Sequence, residues 1–142
     1  MKELLKDKTG TISIIAMGLI LLLLLIAFLI MEMCAAHQNY YDAETILQRS
    51  CNSTVEKNIL DDYRADNILC LDVSSATADF YSYLDSDMPE KYTFTVNSIT
   101  GTATPPTLTV TGTVTFSTLF HQYGFDDVTF DFAVKSTNYR IE

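Results

Sequence analysis

From Thr9 to Met31 the stretch TGTISIIAMGLILLLLLIAFLIM carries no charged residue, and Glu32 ends it. Residues 11–31 as a helix, at 1.5 Å per residue, span about 30 Å, the thickness of a bilayer's hydrocarbon core. Ser13 is the one appreciably polar side chain in the run, and its hydroxyl can bond a carbonyl one turn earlier. Beyond Glu32 the helical period persists. Ala36, Tyr40, Ala43, Leu47, Cys51, Val55 and Ile59 recur at steps of three or four, which is one stripe of an amphipathic helix. No glycine or proline falls between residues 19 and 88, so the pattern predicts an uninterrupted helix to about residue 60.

DDYRADNILCLD then reads as a break. SSATADFYSYLDSD predicts a short helix over 74–87, capped by Ser74 or Ser75, with Ala78, Tyr81 and Leu84 on one side and Pro89 as its stop. From Lys91 the period changes to two. Tyr92, Phe94 and Val96 alternate with Thr93, Thr95 and Asn97. Leu108, Val110, Val114 and Phe116 alternate with threonines, and Val128, Phe130, Phe132 and Val134 with Thr129, Asp131, Ala133 and Lys135. Such alternation predicts strands near 91–99, 107–117 and 127–139, each with one buried face. SITGTATPP and HQYGFDD supply the turns. Three sequential antiparallel strands need a cover for their apolar face, and the stripe at Ala43, Leu47 and Val55 provides it. The fold class expected is α+β: a long N-terminal helix packed on a small C-terminal antiparallel sheet.

Charge sets the direction of the membrane segment. Lys2, Lys6 and Lys8 precede it, and no Lys or Arg follows until Arg49. The positive-inside rule places residues 1–10 in the cytoplasm as a leader, residues 11–31 across the bilayer in contact with lipid, and residues 32–142 outside. The whole chain has a net charge of −9, and the part from Glu32 onward is more acidic still. An acidic surface excludes nucleic acid as a partner, because phosphates require a basic face. The apolar run is longer than a secretory signal core, and Cys34-Ala35-Ala36 makes a poor cleavage site behind Glu32.

Catalytic chemistry finds no foothold. His37 and His121 stand apart with no metal-ligand spacing. Asp61-Asp62 and Asp126-Asp127 could bind calcium together with backbone carbonyls, but neither pair follows the calcium-loop pattern, and loop acids are usually just solvated. No glycine-rich phosphate loop occurs, and no cofactor is implied. Asn52-Ser53-Thr54 matches a glycosylation sequon inside a predicted helix. Cys51 and Cys70 both lie in the outer part, where disulfides persist. A bridge between them would close a loop of about 18 residues and contribute about 3 kcal/mol in the chain-entropy model. Cys51 fits the buried stripe equally well as a free thiol, and Cys34 stands at the membrane exit.

A charged leader ending Lys8-Thr9-Gly10, an apolar helix that starts at once, an amphipathic continuation and a small sheet resemble the type IV pilin class. More closely, the stretch from Thr9 to Gln48, with Glu32 and QNYYDAETILQ behind the apolar run, resembles TadE/TadG-like minor pilins of tight-adherence (Tad, Flp) pilus systems. The resemblance covers about 40 of the 142 residues. It implies a pilin-like structural protein of pilus assembly or a related secretion machine, contributing to adhesion, and not an enzyme. It implies partners too: other pilin subunits through residues 11–31, the assembly platform, and a prepilin peptidase cutting between Gly10 and Thr11. Ile15 occupies the fifth position after that cut, where the class carries a glutamate. That departure suits a minor or initiating subunit, or one that stays anchored. The competing expectations are a membrane-tethered binding or sensor domain outside any filament, and an anchored hydrolase accessory. The first keeps Met1 at its terminus; the second lacks a nucleophile and base at useful spacing.

Overall fold

The computed structural model describes residues 8–60 and 69–138. Its elements run α1 (Lys8–Lys57), α2 (Val73–Asp87), β1 (Tyr92–Thr102), β2 (Thr107–Phe116), a 3-10 turn η1 (Leu119–Tyr123) and β3 (Val128–Thr137). The chain divides into two units between His37 and Gln38. The first is the apolar part of α1. The second, the head, contains the rest of α1, α2 and the sheet.

The α+β expectation holds. The three strands form one antiparallel sheet in the order β1-β2-β3. Threonine and β-branched or aromatic residues alternate along them as pleated strands require. In β2 every second residue, Leu108 through Phe116, is buried while the threonines between lie on the outer face. Ala43, Leu47, Cys51 and Val55 of α1 are buried, and Cys51 donates its thiol hydrogen to the Leu108 carbonyl at 3.6 Å. That contact seats the stripe on the sheet. Rings finish the core at one end: Tyr40 meets Phe130 at 5.3 Å, Phe130 meets Phe116 at 5.8 Å, and Phe116 meets Tyr92 at 6.0 Å between centroids.

Three details differ from the sequence reading. The cap of α2 is Asp72, whose carboxylate accepts from the backbone N–H groups of Ser74 and Ser75. Both seryl hydroxyls donate to the same carboxylate, at 2.8 and 2.7 Å, so the serines serve Asp72 rather than capping the helix themselves. Those hydrogen bonds, the Ser75 hydroxyl foremost, hold the Asp72 carboxyl down at about 2. The buried line of α2 is Ala76, Phe80 and Leu84; Ala78 and Tyr81 point outward. Finally, β1 runs on to Thr102 through a bulge between Val96 and Ser98. The extra residue moves the inward phase from Val96 to Ile99.

Helix α2 lies antiparallel to α1. Arg49 pairs with Asp87 at 2.9 Å near one end, and Asn58 and Lys57 reach Asp79 at 2.9 and 3.0 Å near the other. The Asn58 amide first, and the Lys57 ammonium after it, hold the Asp79 carboxyl below the ordinary carboxylate range. After α1, Leu60 N–H bonds the Cys70 carbonyl and Asp72 N–H bonds the Asn58 carbonyl, at 2.9 and 3.0 Å. These bonds tie together the two ends flanking residues 61–68. Asp61 and Asp62 lie outside the described residues.

Candidate functional site

Two surfaces carry whatever this chain does: the apolar part of α1 and the outside of the head. The first is set by composition alone. Ile12 through Met31 includes a near-continuous series of large hydrophobic side chains, each 43–67% exposed. A helix apolar all round needs an apolar surround, and this one is long and apolar enough to cross a membrane. Glu32, the first charge after the run, is buried. Gly10 and Thr11, the expected cleavage pair, sit within α1, both half-buried. The structure gives them helical backbone and no separate turn.

The cysteines are three free thiols: Cys34 exposed, Cys70 half-buried and Cys51 buried. Cys51 and Cys70 are therefore not joined here. The Cys51 side chain is directed at β2 and occupies the fully buried stripe, where burial pushes its thiol up to about 11. A thiol held that way is a poor nucleophile at neutral pH.

The remaining sequence candidates stay dispersed. His121 lies in η1, with Nδ1 2.9 Å from the Asp127 carboxylate, while Asp126 is exposed beside it. His37 lies on α1 in the first unit. Among the described residues no three His, Cys, Asp or Glu side chains come together as metal ligands would. The glycosylation sequon falls on α1, where Thr54 is fully buried and donates to the Ser50 carbonyl at 2.7 Å. Its acceptor helix is thus packed on the side that a modifying enzyme would have to read.

The head offers open grooves. One, of about 460 Å³, runs between α2 and the β1 edge and is lined by Tyr81, Leu84, Met88, Phe94 and Val96. Another, of about 300 Å³, lies between α1 and the start of β1, where Lys91 faces Asp42 at 3.8 Å. The second groove has polar lining in Asp42, Thr45 and Lys91, with the Asp42 and Lys91 charges facing each other. The outer face of the sheet is a field of threonines, joined by the hydroxyl pairs Thr115–Thr129 at 2.9 Å and Thr107–Thr137 at 3.3 Å.

One feature escaped the sequence reading. Of the large hydrophobic side chains exposed on the head, Leu119, Tyr123 and Phe125 are 56%, 69% and 62% exposed, all in the β2–β3 connection. HQYGFDD reads as a turn by composition, and a turn has no period to say where its rings point. Gly124 provides the positive φ of 88° that ends η1 and brings Phe125 back against Phe120, with ring centroids 5.5 Å apart.

No known protein family, curated protein or solved structure matches this chain.

Proposed function

We propose that the chain is a structural, pilin-like subunit of the TadE/TadG-like minor class, anchored by residues 11–31 with its head outside the cell. The observation that carries this reading is the division of labour along α1. One helix is apolar on every side through Met31 and amphipathic from Gln38 onward, where its stripe completes the core of a small sheet. A plain tether needs no such continuation. In this reading residues 11–31 exchange lipid for the apolar helices of neighbouring subunits, since neither surround is much more favourable than the other. That near-equality lets a subunit pass from membrane to filament. The assembly platform and a prepilin peptidase acting at Gly10-Thr11 are the partners, adhesion is the outcome, and no reaction is assigned to the head.

A second reading, an anchored binding or sensor domain that never enters a filament, draws support from Ile15. An isoleucine cannot neutralise the terminal amine of a neighbouring subunit. The terminal peptide of the mature protein from native membranes, measured by mass spectrometry, separates the two. The pilin reading expects Thr11 as the first residue in both the membrane and the sheared-filament fractions. Met1 in every fraction overturns it and leaves the tethered domain. A terminus near His37 overturns both and makes residues 1–36 a secretion signal.

A further inference from the structure

The exposed rings of the β2–β3 connection sit at a particular end of the head. Tyr92 pairs with Phe116 and Phe116 with Val128, so the start of β1, the end of β2 and the start of β3 share one end of the sheet. That end is also where the chain enters the head. Asn39 accepts from Lys91 Nζ at 3.1 Å and from the Tyr92 hydroxyl at 3.4 Å, and the Tyr40 ring meets Phe130. Five large hydrophobic side chains are exposed on the head among the described residues: Tyr41, Tyr81, Leu119, Tyr123 and Phe125. All but Tyr81 belong to this end.

Covalent reach bounds the distance between that end and the last residue of the apolar run. Six residues separate Met31 from Gln38. They extend about 10 Å as a helix and no more than about 25 Å fully drawn out. The polar headgroup layer adds about 5–8 Å on each side of the hydrocarbon. That linker is short enough for rings projecting from that end to reach the headgroup–acyl boundary. Phenol and phenyl groups favour that depth, where an apolar body and a polar tip are both accommodated. The acids beside them, Asp126 and Asp127, with His121 against Asp127, provide no attraction for anionic lipid. The recognised chemistry is thus the uncharged interface and not a particular headgroup.

We propose that Leu119, Tyr123 and Phe125 form a lipid-interface anchor, a second contact of the chain with the membrane that its own apolar helix crosses. The loop holds the head down on the bilayer at two points. In a subunit destined for a filament, it must leave the lipid when the helix does. The proposal rests on the membrane anchoring in the reading above and is independent of filament assembly.

The chain has no tryptophan, so Phe125→Trp introduces a single reporter into an exposed aromatic position. The full-length variant is reconstituted at low density in phosphatidylcholine vesicles, and flotation reports anchoring separately. Ala103→Trp, exposed in the turn at the opposite end of the sheet, is the control, and Tyr123→Trp repeats the test. The expected result is a blue-shifted Phe125→Trp emission, quenched several-fold more by lipid brominated near the headgroup than the control is. Water-like emission quenched by acrylamide alone, in protein that floats, overturns the proposal while leaving the anchor intact. A blue shift that grows only with protein density assigns the loop to a second copy of the chain, and also overturns it. Protein that fails to float removes both this proposal and the membrane anchoring on which it rests.

Discussion

Gly112 is the position at which the head tolerates least. It lies on the buried face of β2, between Val110 and Val114, paired with Val96 on one side and Phe132 on the other. A Cβ added there would stand 2.8 Å from Phe132 Cζ and 3.0 Å from Cε1, and would overlap the Thr95 carbonyl oxygen outright. The Phe132 ring is itself only 4% exposed and faces Phe94, so it has little room to yield. The Thr95 oxygen belongs to backbone at the bulge, and relieving it means moving β1 away from β2. Overpacking of this kind costs about 1–3 kcal/mol, and a lost ladder hydrogen bond about 1 kcal/mol more. Alanine recovers about 0.5–1 kcal/mol by constraining the unfolded chain. The expected net loss for Gly112→Ala is about 2 kcal/mol. For a head of about 100 residues that corresponds to a fall in Tm of roughly 8–16 °C. The assay is thermal unfolding of the full chain in detergent micelles, followed by the near-ultraviolet circular dichroism of its tyrosines and phenylalanines. Thr113→Ala, one residue along on the outer face, is the control and should stay within about 0.5 kcal/mol of wild type. If Gly112→Ala melts with Thr113→Ala, the close approach at the bulge is not what sets the residue, and the reasoning fails.

Ser50 is 1% exposed and its hydroxyl has no hydrogen-bond partner. Ser50→Ala should therefore stabilise the head by about 1 kcal/mol, raising Tm in the same assay; a lower Tm would show that the hydroxyl has a role. Asp72→Ala should lower Tm by a few degrees at neutral pH by uncapping α2. The Asp72 carboxyl is depressed from 3.8 to about 2 on folding, so its contribution is complete above about pH 4 and disappears as pH falls through 2. The gap between wild type and variant should close over that window, and a gap that stays constant would refute the cap. A thiol reagent at pH 7 should modify Cys34 quickly and Cys51 only after unfolding, given their exposure and the raised Cys51 thiol. Three reactive thiols in denaturant without reductant are expected; a single one would reinstate the Cys51–Cys70 bridge.

Periodic features were legible because burial imposes their period directly. Ala43, Leu47, Cys51 and Val55 are spaced for one helix face, and they are the residues buried there. The strands declared themselves through threonine alternation in the same way. Misreadings arose where two local solutions compete at similar cost. In α2 the neighbours Phe80 and Tyr81 offer two apolar lines one residue apart, and docking against the rest of the head selects the line through Phe80. In DVSS three side chains could cap the helix, and Asp72 prevails because its carboxylate accepts from both serines at once. The change of phase from Val96 to Ile99 was present in the sequence, yet it resembles a strand ending unless the partner strand shows the pairing resumed beyond the bulge. The candidate surfaces divide along the same line. Residues 11–31 need no fold to be recognised, since any conformation leaves that much apolar surface seeking an apolar surround. Leu119, Tyr123 and Phe125 belong to an aperiodic connection, and in most loops such rings turn back onto the core. Here the core at that end is already closed by Tyr40, Tyr92, Phe116 and Phe130. The three side chains are left outside for want of space within, which is why their surroundings, and not their sequence, hold the information about what they touch.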